Sequence, residues 1–154
     1  MSKQLLIVAH TPSPNTKAMA NQLCIGAESA VDTGLRVNLV NPLQCQPYAV
    51  LQADSIILLT TENLGYMSGA LKDFFDRIYY PCLEPKQGLG VALVVRARHD
   101  GTGTQRAIKS ICNGLRWNWV QPPIICRGEW CPEFLQQCHQ MGQYMAAATD
   151  LGMI

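Results

Sequence analysis

Three apolar runs, at residues 5–9, 55–59 and 90–97, constrain this chain more than anything else in it. None of them alternates. A strand that is apolar at successive positions is covered on both faces, and sheets covered on both faces are parallel sheets flanked by helices. Each run is followed by a polar loop and then by a one-faced helical pattern. After residues 55–59 the loop spans 60–67, and Leu71, Phe74, Phe75 and Ile78 fall in the i, i+3, i+4, i+7 series of a helix. On its other side Lys72 with Asp76 and Asp73 with Arg77 form i,i+4 pairs of opposite charge, each worth roughly 0.2–0.5 kcal/mol. After residues 5–9 the loop 10–16 leads to a helix with Ala20, Leu23, Cys24, Ala27 and Val31 inward, ended by Thr33-Gly34. After residues 90–97 the loop 98–103 leads to Ile108, Ile111, Cys112 and Leu115.

The remaining segments have edge character. Residues 35–40 alternate, with Leu35, Val37 and Leu39 on one side, as a half-wet strand does. Residues 41–52 carry two prolines and no firm period, and read as a loop with a short helix. Residues 119–126 read as a last strand, demoted to an edge because Pro122 and Pro123 cannot donate to a ladder. A closing helix has Pro132 in its first turn and Leu135, Cys138, Gly142 and Met145 inward. The order βαβ(α)βαβαβα predicts an α/β fold: a doubly wound three-layer α/β/α sandwich around a five-stranded parallel sheet of order 2-1-3-4-5. No internal repeat, linker or low-complexity stretch divides residues 1–154, so a single domain is expected.

Composition narrows the function classes. The net charge is +1, 15% of residues are charged, and there is no basic run, which argues against a nucleic-acid partner. The seven cysteines include no CxxC pair and no zinc spacing, so reduced core thiols in a cytoplasmic protein are expected. The opening MSKQLLIVAH is too short in its apolar run for a secretion signal, and no segment approaches the ~20 apolar residues of a membrane span.

In this topology the loops after the first, third and fourth strands meet beside the switch point, where ligands of open α/β sheets bind. The first holds Thr11, Ser13, Asn15 and Thr16 and runs into a helix N-terminus, a setting equally suited to a phosphate and to plain N-capping by Ser13 or Asn15. It resembles the flavodoxin phosphate loop, Thr/Ser-x-x-Gly-x-Thr, except that Pro14 stands where a small residue is usual and removes one N–H. The segment ENLGYMSGALKDFFDRIYY is similar to the Phe-Gly-Tyr/Asn-Met region of flavodoxin-like NAD(P)H-dependent reductases, which include the WrbA-type quinone reductases. Thr61 stands where that family has proline and Leu64 where it has an aromatic.

The resemblance implies a flavodoxin-like fold and FMN, with the phosphate at Thr11, Ser13, Asn15 and Thr16 and the ring against Glu62, Asn63, Leu64, Gly65, Tyr66, Arg98, His99 and Gly101. Gly65 either lets backbone approach a flat ring or serves an ordinary turn. Tyr66 either stacks on a ring or packs the helix start. Glu62 reads as a solvated charge in preference to one facing reduced flavin. Arg96, Arg98 and His99 read as exposed loop charges in preference to contacts for a nicotinamide phosphate, and His10 as a polar strand-end residue. Trp117 and Trp119 read as packing or as an oligomer surface. No catalytic dyad and no metal site is expected.

Three functions follow. The first is an FMN-dependent oxidoreductase passing electrons from NAD(P)H to quinone or free flavin, and by family habit a homodimer or homotetramer. The second is a flavodoxin-type electron carrier, disfavoured because such shuttles are strongly acidic. The third is a flavin-free binding module. Within the last, a phospho-receiver is disfavoured, because His10 and Thr60 stand where carboxylates would hold a divalent ion.

Overall fold

The structure, a computed structural model, describes residues 2–154. The parallel strands β1 (Lys3–Ala9), β2 (Leu35–Val40), β3 (Ser55–Asn63) and β5 (Gly90–Ala97) lie in the order β2-β1-β3-β5. Two short pieces, β6 (Asn118–Trp119) and β7 (Ile124–Arg127), share the position beyond β5, both parallel to it. Counting that position once gives the expected 2-1-3-4-5 order. The last strand is therefore broken, where an unbroken run over residues 119–126 was predicted. Val91 pairs with Trp119 and Val94 with Ile124, so three steps along β5 are matched by five along the edge. The surplus chain holds Pro122 and Pro123, which have no N–H to offer the ladder.

Alternation along the buried strands sorts their side chains into two cores. Leu6, Val8, Ile56, Leu58, Val91, Leu93 and Val95 face one way, against α3 (Gly69–Leu83) and α4 (Thr102–Gly114) through Leu71, Phe74, Phe75, Ile78, Ile108 and Cys112. The short α2 (Pro47–Gln52) closes that layer through Val50. Leu5, Ile7, Ile57, Leu59, Ala92 and Val94 face the other way, against α1 (Pro14–Ala30) and α5 (Glu133–Asp150). The burial of both faces explains why these strands show no period of two in sequence. Trp117 is buried and packs on Phe75 at 6.3 Å, which settles its role as packing.

Helices α1 and α5 cross closely because each offers the other a glycine. A β-carbon on Gly26 would lie 2.1 Å from the His139 carbonyl oxygen. This anchors the layer whose helix α1 begins at the carboxyl edge of the sheet.

The largest departure from expectation is at the end of β3. The strand continues through Glu62 and Asn63, then turns at Leu64-Gly65 into β4 (Tyr66–Met67), which pairs back antiparallel as Asn63↔Tyr66 and Glu62↔Met67. The expected loop over residues 60–67 is a hairpin arm projecting from the carboxyl end of a central strand. Its base is pinned: buried Thr60 donates its hydroxyl to the hydroxyl of Ser68, the N-cap of α3, at 3.2 Å, and the Ser68 N–H donates back to Thr60 at 3.1 Å.

Candidate functional site

Because β1, β3 and β5 are adjacent and parallel, the segments leaving their carboxyl ends share one edge of the sheet. These are the loop before α1, the hairpin arm, and the loop before α4.

At the first segment, Ser13 caps α1 and forms a capping box with Thr16. The Thr16 N–H donates to Ser13 Oγ at 3.2 Å, and the Ser13 N–H donates to Thr16 Oγ1 at 3.1 Å. Thr16 also donates its hydroxyl to the Ser13 carbonyl at 3.0 Å and is buried. Pro14 is the first helical residue, where an N–H has no intrahelical partner in any case, so it costs the helix nothing while removing one anion donor. Asn15 is exposed, and among the described residues its N–H makes no hydrogen bond. Thr11 is half-buried at the loop's start, and Lys17 is exposed in the same helical turn. For an anion this end offers the Asn15 N–H and amide, the Thr11 hydroxyl and the positive end of the helix dipole. Two of the four expected phosphate residues, Ser13 and Thr16, are committed chiefly to the cap.

Nearby His10 is half-buried, its N–H donating to the Leu59 carbonyl at 2.9 Å, and burial lowers the pKa of its imidazole.

The arm carries Asn63, Leu64, Gly65 and Tyr66. Both turn residues have left-handed φ, 54° at Leu64 and 77° at Gly65, as a two-residue type I′ hairpin requires. A β-carbon on Gly65 would meet no protein atom within 4 Å, so within the protein itself it is the positive φ that calls for glycine here. Leucine is the anomaly. It occupies a conformation that costs a β-carbon-bearing residue about 1–2 kcal/mol, and its side chain is fully exposed. Tyr66 is 40% exposed beside it. Asn63 is exposed and accepts from the Thr61 hydroxyl at 2.8 Å through its amide oxygen.

Glu62 corrects an expectation. It is not a solvated charge but a half-buried carboxylate accepting the Gly101 N–H at 2.7 Å and the His99 N–H at 3.3 Å. The arm is also fastened to α4. The Thr104 hydroxyl donates to the Tyr66 carbonyl at 2.9 Å, and a β-carbon on Gly103 would lie 2.4 Å from the Gly65 carbonyl oxygen. Gly101 is buried at φ 74°, where a β-carbon would lie 2.6 Å from Ile125. Thr60, Ser68, Gly103 and Thr104 thus shape the site although the sequence reading passed over them. The signal for Gly103 and Thr104 was their place in the first turn of the helix facing the arm.

Arg98 and His99 are exposed side chains, as expected. Arg96 is not: its guanidinium donates to the Ala97 and Cys126 carbonyls, both at 3.0 Å, and lies 4.9 Å from the Phe134 ring centroid and 5.8 Å from that of Trp130. It braces β5 to β7 and is not free for a ligand. Among the described residues no cluster of ligating side chains could hold a metal ion, and no helix is long and apolar enough to cross a membrane.

This sheet order, with helices on both faces and ligand-type loops at the carboxyl edge, defines the flavodoxin-like fold. Solved structures bear that out. A WrbA-like flavodoxin protein from Agrobacterium tumefaciens superposes with a TM-score of 0.76 at 16% identity, over 98% of this chain and 99% of the other. The two-electron reduced flavodoxin of Megasphaera elsdenii gives 0.74 at 21%, over 95% and 98%. The flavodiiron protein of Giardia intestinalis gives 0.79 at 13%, over 97% of this chain and 37% of that one. No protein-family model and no curated protein sequence matches the chain.

Proposed function

We propose that the protein binds FMN at the carboxyl edge of its sheet and uses it to pass electrons from NAD(P)H to a quinone or free flavin, in the cytoplasm. The observation that carries this reading is the hairpin arm. It holds Leu64 fully exposed on strained backbone beside a partly exposed Tyr66, on the edge where this fold takes its ligands. Backbone strain and exposed apolar side chains concentrate where a ligand covers them.

The residues present suit FMN chemically. Thr11, Asn15 and the first turn of α1 supply donors for the phosphate, with Lys17 adding a cation. Leu64 and Tyr66 offer an apolar surface for a flat ring, and the Asn63 amide is a donor for its edge. The donors of the third segment, His99 N–H and Gly101 N–H, are taken by Glu62. A bound flavin would supply the hydride and electron chemistry itself, while the protein contributes binding, orientation and local charge. Accordingly no acid–base pair is needed, and the net charge of +1 favours a reductase over an acidic shuttle.

Anaerobic mixing of the FMN-loaded protein with NADH and with NADPH tests the reading. Direct bleaching of the flavin is expected. A flavin that bleaches only when a separate reductase is added would make the protein a carrier instead.

A further inference from the structure

The N-cap of helix α4 is Gly101, a residue with no side chain to serve as a cap, and no side-chain hydrogen bond caps the helix. Glu62 reaches that start from β3. Its carboxylate accepts from the Gly101 and His99 N–H groups and sits at the positive end of the helix dipole. Two further ties join the same elements: the Thr104 hydroxyl on the Tyr66 carbonyl, and the close approach of Gly65 to Gly103. Of the three, only Glu62 involves a charge and consumes backbone donors of the third segment. The arm it holds is a two-residue hairpin whose own pairing spans only Glu62–Met67 and Asn63–Tyr66. Its position over α4 therefore depends on these cross-ties more than on its own ladder.

We propose that Glu62 is an intramolecular latch. It closes the arm on α4 and occupies the His99 and Gly101 N–H groups; a ring ligand entering between arm and loop displaces it and takes those donors. The proposal rests on the flavin reading given above. It makes Glu62 a positioning residue that lowers the affinity for the ring without holding it. Closed, the arm protects the hydrogen bonds at the start of α4; open, it exposes them to ligand.

The test compares the wild-type protein with Glu62→Gln and Glu62→Ala by two independent readouts. Amide hydrogen exchange without flavin is the first: His99 and Gly101 should exchange at least tenfold faster in Glu62→Ala, with the amides of β1 and β5 unchanged. Unaltered exchange at His99 and Gly101 would overturn the latch, whatever flavin does. Calorimetric titration with FMN and with riboflavin is the second. Both variants should bind each compound more tightly than wild type does, by several-fold or more, because the ring no longer competes with a carboxylate. Weaker binding by the variants would overturn the proposal by showing that Glu62 holds the ring. Faster exchange with no flavin bound by any of the three proteins would remove the flavin reading and the ligand half of the proposal together.

Discussion

Gly26 and Gly142 are reciprocal across the crossing of α1 and α5: a β-carbon on Gly142 would lie 2.1 Å from the Leu23 carbonyl oxygen, as one on Gly26 would from that of His139. The obstacle in each case is backbone of the partner helix, which cannot swing aside. Gly142→Ala should therefore push the helices apart and destabilise the protein by about 1–3 kcal/mol, the usual cost of overpacking a tight core. Urea denaturation measures this directly. An unchanged midpoint would mean that the two helices are less closely seated.

Leu64 gives a prediction of opposite sign. Asparagine tolerates left-handed φ, so Leu64→Asn should relieve about 1 kcal/mol and raise Tm by roughly 2–4 °C. Flavin affinity should fall in the same variant, since an apolar contact is lost. Stabilisation with unchanged affinity would dissociate the strained leucine from function.

In the segment before α1, the cap and the proposed phosphate contacts fall on different residues. Ser13→Ala removes the N-cap of α1 and should cost about 0.5–2 kcal/mol of stability. Asn15→Ala and Thr11→Val touch no hydrogen bond of the cap, and should leave thermal melting in place while weakening FMN and sparing riboflavin, which has no phosphate. Equal losses for both ligands would place the phosphate elsewhere.

The thiols predict both reactivity and alkaline behaviour. Burial pushes the pKa of Cys45 and Cys126 up to about 11 and that of Cys138 up to about 12, and raises that of Cys112 as well. Cys24 and Cys131 alone of the seven are incompletely buried. Ellman's reagent at pH 8 should therefore titrate two thiols in the native protein and seven after unfolding. A group whose folded pKa lies above its unfolded value stabilises fully below the unfolded value. Above it the unfolded chain binds fewer protons, so stability falls as pH rises. From about pH 9 each of Cys45, Cys112, Cys126 and Cys138 should cost up to about 1.4 kcal/mol per pH unit, and buried Cys82, raised by burial too, adds in the same direction. A flat stability profile from pH 9 to 10.5 would contradict their burial.

Much of the fold was legible in sequence, because a parallel strand buried on both faces has a pattern of its own. The runs ending at Ala9, Leu59 and Ala97 announced the central strands, and the helical series from Leu71 announced α3. The break at Pro122 and Pro123 was legible as an edge but not as an interruption, since two extra residues leave no mark without their partner strand. The hairpin arm was hidden for a different reason. Type I′ turns are signalled by Asn-Gly or Asp-Gly, and here Leu64 stands in the first place. Glu62 looked solvated because its partners are backbone N–H groups at His99 and Gly101, which carry no side-chain signature. Arg96 looked like a loop charge for a similar reason: its carbonyl partners and the rings of Trp130 and Phe134 come from elsewhere in the fold.

The most direct test of the central claim is the visible absorption spectrum of the purified protein, read before and after titration with FMN. The visible absorption bands of a bound flavin are expected, either at once or on titration, with binding at micromolar affinity or tighter. A colourless protein that neither perturbs the FMN spectrum nor gives heat on titration would contradict it.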